Sequence, residues 1–270
     1  MRPFLFNENC RSDEAQFAEL RRGLENETDY ELEAQNLRDV QKWFADDEVI
    51  VVPKVYPQFS TRRVITMDWI EGQTFDEFLE SNPSQEQRDH YGTWITRAIV
   101  RLYLDRTLYT DAHPGNFLFM KDGQLGFVDF GNLRRFSDEE WKFHEKVFAV
   151  RESDDAEAKR QLCIESAMMT DKEYAKNSEA IDLIVEWFDF YNEPILYEGE
   201  FDYGNPEYMR RASELLDRAF KVNWIRQKSE NMFSHRLNFQ LPALFFRLKS
   251  RVHVPNASRS EEVEYERRKS

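Results

Sequence analysis

Cysteine is nearly absent from this chain, which has only Cys10 and Cys163 in 270 residues. The two are far apart and lie in no Cys-x-x-Cys or histidine-rich neighbourhood, so neither a disulfide framework nor a zinc site is expected. Long hydrophobic runs and a signal-peptide pattern are missing as well. These absences predict a protein of a reducing compartment that is cytoplasmic or peripheral to a membrane.

Positive charge is also scarce, since 37 lysines and arginines stand against 51 aspartates and glutamates, for a formal net charge of −14. Such a surface repels a phosphate-rich polymer, so nucleic acid is not expected as a partner. A magnesium nucleotide is not excluded, because local carboxylates and metal hold it rather than the overall field. With 41% hydrophobic residues, the chain has enough apolar side chains for a folded core.

The hydrophobic spacing predicts an α+β protein. Residues 12–46 have helical periodicity, and the following β-branched or aromatic runs are typical of antiparallel strands, at 49–52, 54–59 and 63–69. Beyond Ser84 the pattern is mainly helical, with capping boxes at Ser84 with Gln87 and at Ser137 with Glu140. Later helices are predicted at 154–169, 178–191, 207–229 and 231–250, with loops at 192–194 and 199–206.

These elements suggest three parts. Residues 1–72 are expected to form a partial small lobe with one helix and antiparallel strands, and residues 73–255 a mainly helical large lobe. Residues 256–270 are almost wholly polar or charged, and we interpret them as a tail.

A predicted hairpin lies inside the helical part, at 117–120 and 124–130 around the turn Lys121-Asp-Gly123. The start of the first strand of a hairpin lies beside the end of the second, so Asn116 and Asp129 should be neighbours. An amide oxygen and a carboxylate at adjacent strand ends suit a hard cation such as Mg²⁺ that bridges phosphates. The hairpin therefore predicts a metal and nucleotide site.

Asp111 extends this pattern, because it precedes Asn116 by five positions in the sequence. This is the Asp-x-x-x-x-Asn spacing of a kinase catalytic loop, and it is followed by Asp129-Phe-Gly131. Alone, Asp111 would be interpreted as a loop cap. Joined across a hairpin, the pieces predict phosphoryl transfer that uses ATP and Mg²⁺.

Further segments narrow the family. They occur in one order along the chain: Glu27-Thr-Asp29-Tyr30, Glu33-Ala34, Val52-Pro-Lys-Val-Tyr56, Ser60-Thr-Arg62, Thr66-Met-Asp-Trp-Ile-Glu-Gly72 and Asp111-Ala-His-Pro-Gly-Asn116. In this combination the chain resembles the ABC1, or UbiB and COQ8, family of atypical protein-kinase-like ATPases. The resemblance implies a protein-kinase-like fold and ATP chemistry linked to isoprenoid-quinone (ubiquinone) lipid metabolism. It also implies a lipid or quinone precursor as partner and, in a eukaryote, a mitochondrial or plastid location.

Position by position, the resemblance also assigns residue roles. Glu27 and Asp29 match an acidic Glu-x-Asp motif, and Glu33 matches the glutamate of the regulatory helix; without the resemblance, all three would be interpreted as a solvated helix face. The hinge, whose backbone would hold adenine, would comprise Met67, Asp68 and Trp69. The remaining matches are Asp111 as catalytic aspartate, His113 as an organiser of the same loop, and Asn116 and Asp129 as metal ligands.

The chain departs from the family pattern in one important respect. A kinase-like site uses a lysine on a strand before the regulatory helix, whereas Lys42 and Lys54 both follow Glu33 here. The catalytic loop also reads Leu108-Tyr-Thr-Asp-Ala112 where the family has a sequence close to Phe-His-Ala-Asp-Pro. A fragment of a longer protein, a half completed by a second chain and a shortened pseudoenzyme all fit this pattern.

Two further functional hypotheses fit the same residues. One is a small-molecule phosphotransferase of the aminoglycoside or choline kinase type, which shares an Asp-x-His-Pro-Gly-Asn loop. The other is a non-catalytic pseudokinase scaffold that binds a partner through its helices. In addition, the apolar segment 239–246, followed by bases at Arg247, Lys249 and Arg251, indicates either a buried last helix or a peripheral contact with anionic lipid.

Overall fold

Helices predominate in the computed structural model, which describes residues 28–166, 177–221 and 232–256 together with Arg21 and Glu25. The helices are α1 (Tyr30–Trp43), α2 (Phe75–Glu80), α3 (Gln85–Leu104), α4 (Asp138–Arg151), α5 (Ala156–Ser166), α6 (Ser178–Leu196), α7 (Pro206–Lys221) and α8 (Met232–Leu248). The strands are β1 (Ile50–Val51), β2 (Thr107–Tyr109), β3 (Phe117–Phe119), β4 (Leu125–Phe127), β5 (Leu133–Arg135), β6 (Phe201–Asp202) and β7 (Arg251–Val252).

Capping boxes begin three of these helices. The two predicted at Ser84 and Ser137 are confirmed. Each serine hydroxyl accepts the backbone N–H of the residue three positions on, and the side chain of that residue accepts the serine backbone N–H. Thr74 with Glu77 forms a third, which starts α2. The sequence prediction missed α2 because a helix of six residues is too short to show a periodic apolar pattern.

The loop predicted at 192–194 is wrong, because α6 continues through Pro194 to Leu196. Proline lacks the N–H of a helix interior and normally ends or kinks the helix. Here both Asn192 and Pro194 are buried, and the Asn192 amide donates to the Phe188 carbonyl oxygen at 2.7 Å. Burial of this stretch within the fold outweighs the local preference of proline.

The predicted hairpin is confirmed. β3 and β4 pair antiparallel with Phe117 opposite Phe127, and Gly123 takes the positive φ of +86° that the turn requires. β1 joins this hairpin as a third strand, parallel to β4, in the order β1-β4-β3. The sheet therefore links the small-lobe segment directly to the strands that carry the candidate site.

The antiparallel strands predicted for the small lobe are found only in part. Backbone bonds join 54–56 to 66–68 antiparallel, through Tyr56 N–H to Thr66 at 2.8 Å and Asp68 N–H to Lys54 at 2.9 Å. Residues Pro57–Phe59 form a 3-10 turn instead of a strand, because proline cannot donate to a ladder. The run at 49–52 pairs parallel with β4, a long-range partner that a local pattern does not reveal.

One apolar cluster connects the small-lobe helix, the hairpin and the large helical part. It includes Leu37 of α1, Ile95 of α3, Phe127 of β4 and Leu248 of α8, each 0% exposed. In α8, the last helix that the structure describes, Leu244, Phe245 and Leu248 are buried, whereas Phe239 is 40% exposed. In the part of the chain that the structure describes, no helix is long and apolar enough to cross a membrane.

Candidate functional site

The catalytic-loop candidate lies between β2 and β3. The Asn116 amide nitrogen donates to the Tyr109 hydroxyl at 2.9 Å and to the Asp111 carbonyl oxygen at 3.0 Å. These two bonds fix the amide with its nitrogen toward the loop, so its oxygen lies on the opposite side. Asn116 is buried, and its orientation is therefore set before any ligand binds.

Asn116 and Asp129 lie together, as the hairpin argument predicts. The Val128 N–H donates to the backbone carbonyl oxygen of Asn116 at 3.1 Å, and Asp129 is the next residue along the chain. The Asp129 carboxylate accepts the Gly131 N–H at 3.0 Å, which fixes its rotation. An amide oxygen and a carboxylate are thus held at one end of the hairpin.

His113 lies in the 3-10 turn Pro114–Asn116 that leads into β3. Its Nδ1 accepts the Gly115 N–H at 3.1 Å. The side chain is exposed. The ring thus contacts its own loop.

Helix α1 is linked to the Asp-Phe-Gly segment by a hydrogen bond from Asn36 and by the charge interaction of Glu33 with Asp129. The Asn36 amide donates to the Phe130 carbonyl oxygen at 2.8 Å, a buried bond across the fold. Burial, and after it the negative charge of Asp129, raise the pKa of Glu33 from 4.5 to about 7. Glu33 therefore shares the electrostatic environment of the candidate metal ligands, as its match to the regulatory glutamate implies.

The acidic Glu-x-Asp motif is only partly described. Asp29 caps α1, with its Oδ1 accepting the Glu31 and Leu32 N–H groups at 3.2 Å each. Its carboxylate thus has a local structural task in starting the helix. Glu27 lies outside the described residues.

The predicted hinge is an extended segment that pairs with 54–56 through an isolated bridge between Val55 and Met67. The Asp68 N–H donates to the Lys54 carbonyl oxygen, and the Asp68 carboxylate accepts the Tyr56 hydroxyl at 2.6 Å. Because backbone groups alternate sides along a strand, those of Met67 and Trp69 point away from this pairing. Any adenine held here would therefore bind Met67 and Trp69, not the Asp68 backbone.

Gly126 explains how the hinge reaches the hairpin. A Cβ there would lie 2.9 Å from Ile70 Cγ2 and 3.0 Å from Leu118 Cβ. A side chain at this position would therefore displace Ile70, which directly follows the hinge, from β4. The chain then pairs through Gln73 with Phe119 of β3. The segment that directly follows the hinge is thus held against the hairpin.

Gln240 of α8 is a site residue that sequence reasoning missed. Its Oε1 accepts the Ala112 N–H at 3.0 Å, and its Nε2 donates to Asp111 Oδ1 at 3.0 Å. Nothing in its sequence neighbourhood indicates this role, because the contact joins segments far apart in the chain. Asn36 was missed for the same reason, since its partner Phe130 is also far away in the chain.

The donor set fits a magnesium ion held mainly by its nucleotide. Mg²⁺ usually takes one or two protein oxygens and completes its shell with water and phosphate. Asn116 and Asp129 would supply two such oxygens. Among the described residues, no group of three or more His, Cys, Asp or Glu side chains forms a closed metal site.

Glu33→Gln is expected to stabilise the metal-free protein at alkaline pH. Because folding raises the pKa of Glu33 above its ordinary 4.5 to about 7, ionisation costs stability progressively between these values and the full cost remains above them. Allowing for solvent screening of a partly exposed side chain, the gain at pH 8 should be about 2 kcal/mol. Urea unfolding with EDTA at pH 8 and pH 4.5 measures it. An equal or lower stability of the variant at pH 8 would contradict the placement.

Comparison with known proteins gives consistent relatives. The model of the ABC1 atypical kinase-like domain matches residues 5–162. Protein ACTIVITY OF BC1 COMPLEX KINASE 3, chloroplastic, of Arabidopsis thaliana is 34% identical over 114 residues, covering 42% of this chain and 16% of that protein. An uncharacterized chloroplastic aarF domain-containing protein kinase of the same plant is 25% identical over 155 residues, covering 54% and 28%. The chain thus spans less than a third of the length of these relatives.

A solved structure shares the fold. It is described as the complex of Rv3197 with erythromycin from Mycobacterium tuberculosis, and it matches with a TM-score of 0.62 at 24% identity, over 92% of this chain and 61% of that one. At this identity the likeness concerns the fold alone. With the family match, it confirms the predicted kinase-like α+β architecture.

Proposed function

The chain belongs to the ABC1 atypical kinase-like domain family, and from that membership we propose that it binds magnesium ATP and takes part in phosphoryl chemistry. The supporting observation is the hairpin end, where Asn116 and Asp129 lie together and Asn116 is bonded to the loop of Asp111. In this proposal Asn116 and Asp129 hold the metal. Asp111 receives the proton of the attacking hydroxyl or water.

Positioning is the main contribution that these residues would make. Phosphoryl transfer needs little covalent chemistry from the protein, and bound magnesium neutralises charge on the phosphates. Asn116 presents its oxygen because its nitrogen is bonded elsewhere, and Asp129 is fixed by Gly131. Asp111 is fixed by Gln240. Such preorganisation lowers the cost of assembling the reacting groups.

The acceptor and the cellular setting are finer parts of the proposal. The plant relatives are chloroplast proteins by name, which supports a plastid setting for this chain. Family membership supports a link to isoprenoid-quinone lipids and favours this hypothesis over an aminoglycoside or choline kinase type. The acceptor in this proposal is therefore a lipid or quinone precursor.

A non-catalytic scaffold is the second candidate. It is favoured by Glu33, whose pKa is raised by burial and by a negative neighbour, Asp129, instead of being lowered by a cationic partner. A protein that never holds nucleotide would tolerate a protonated carboxyl there. The two candidates differ in whether magnesium ATP binds.

A thermal-shift titration separates them. Binding to the folded state stabilises a protein by about 2.7 kcal/mol at a ligand concentration one hundred times Kd. For the enzyme proposal we expect magnesium ATP to raise the melting temperature by several degrees and ATP with EDTA to do much less. No shift with magnesium ATP, including in the longest protein product of the gene, would favour the scaffold.

A further inference from the structure

We propose that Gln240 is a positioning residue that sets the orientation of the Asp111 carboxylate. The inference rests on the proposed phosphoryl function and adds a contact from the last described helix to it. Gln240 makes two bonds to consecutive residues of the loop, to the Ala112 N–H and to Asp111 Oδ1, both at 3.0 Å. The side-chain amide of Gln240 thus binds the backbone of Ala112 and the carboxylate of Asp111 at the same time.

The two bonds define a single arrangement. The Ala112 N–H donates, so it requires the amide oxygen, and the Asp111 carboxylate accepts, so it requires the amide nitrogen. Reversing the amide would oppose donor to donor and acceptor to acceptor. The Ala112 side chain is 0% exposed, so the loop backbone is also held by packing at this point. Rotation of the Asp111 carboxylate is therefore tied to the position of α8.

Helix α8 is well anchored for this task. Leu244 and Leu248 are 2% and 0% exposed on its buried face. Its carboxyl end is capped from α3, where Arg88 donates to the Leu248 carbonyl oxygen at 3.0 Å and Gln85 to that of Lys249 at 2.8 Å. A side chain on such a helix can hold a loop more accurately than the loop holds itself.

The geometry that catalysis requires explains why the two hydrogen bonds of Gln240 matter. A displacement of a reacting group by about 1 Å can cost roughly a hundredfold in rate. Asn116 is fixed by Tyr109 and by the Asp111 backbone, but neither bond reaches the Asp111 carboxylate. The contact with Gln240 supplies an orientation for that carboxylate. Its loss should affect the rate of the chemical step and leave nucleotide binding intact.

Gln240→Met tests the two hydrogen bonds with little change in the size of the side chain. Methionine keeps the length of the side chain and removes both hydrogen bonds. We expect kcat for ATP turnover to fall by about ten- to a hundredfold, with KM for magnesium ATP within about twofold of wild type. Gln161→Met, at an exposed glutamine of α5 that donates to Glu157 along its own helix, is the matched control and should retain wild-type kcat.

Gln240→Glu separates positioning from simple packing. The introduced carboxyl still accepts the Ala112 N–H, but when ionised it cannot donate to Asp111 and repels it. When protonated it again donates. We therefore expect the ratio of variant to wild-type kcat to rise as pH falls from 8 to 5.5. A ratio that stays constant with pH would assign Gln240 a merely structural role and overturn the proposal.

The outcomes distinguish this inference from the function on which it rests. If wild type turns over ATP and Gln240→Met does so at full rate, positioning by Gln240 is wrong and the proposed function stands. If wild type neither binds nor turns over magnesium ATP, the proposed function is wrong, and catalytic positioning is wrong with it. Gln240→Met could also lower kcat simply because the variant is less stable. A lower melting temperature, together with a kcat that returns to the wild-type value when the assay is run at lower temperature, would also count against positioning.

Discussion

Asp129→Asn is expected to reduce magnesium-dependent ATP turnover by about a hundred- to a thousandfold, the effect of removing one preorganised charge-stabilising group. The substitution preserves size, and its side-chain oxygen can still accept the Gly131 N–H that now bonds Asp129 at 3.0 Å. It removes the negative charge that, in the proposed site, would face the metal. The loss should therefore appear in turnover and in magnesium dependence, with little change in folding stability.

The hairpin itself offers a matched control for this experiment. Asp122 lies exposed in the turn, where its carboxylate accepts the nearby Gln124 N–H at 3.4 Å. Asp122→Asn removes the same charge from the same hairpin at the other end and should leave turnover unchanged. Steady-state kinetics across a magnesium series measure both variants. Wild-type turnover in Asp129→Asn would remove Asp129 from the metal site.

Phe119→Ala is expected to lower the free energy of unfolding by about 3 to 5 kcal/mol, the usual range for truncating a buried phenylalanine. Phe119 is 1% exposed in β3. Its ring stacks on Phe78 at 4.4 Å and meets Tyr91 edge-on at 4.8 Å. Truncation would leave a cavity between the hairpin, α2 and α3, which together hold the candidate site in place.

Urea unfolding of wild type and variant at one pH measures this loss. Phe59→Ala is the control, because Phe59 is 65% exposed and its truncation should change stability by about 0.5 kcal/mol or less. A loss for Phe119→Ala no larger than for Phe59→Ala would contradict the packing. A smaller unfolding slope would instead indicate that the variant no longer unfolds in a single step.

Local patterns predicted the parts of the site that depend on neighbours in the sequence. A hairpin fixes its own register through a short turn, so the proximity of Asn116 and Asp129 follows from the residues around Gly123. The capping boxes at Ser84 and Ser137 are likewise determined within four residues. For the same reason the short loop from Asp111 to Asn116 was placed correctly beside the hairpin.

Contacts between distant segments were not predictable in this way. The bond from Gln240 to Asp111 and the bond from Asn36 to Phe130 depend on how helices dock, which no local periodicity encodes. The parallel pairing of β1 with β4 is of the same kind. Tertiary burial also overrode the local preference of Pro194. The role of Asp29 as a helix cap shows a further limit, since an acidic motif can serve backbone donors.

The position of the metal tests the central claim most directly, namely that Asn116 and Asp129 form one metal and phosphate site beside Asp111. A crystal structure with manganese and a non-hydrolysable ATP analogue would locate the ion by its anomalous signal. The account predicts a peak at about 2.0–2.3 Å from an oxygen of each of Asn116 and Asp129, bridging the nucleotide phosphates. Bound nucleotide whose metal touches neither residue would contradict it.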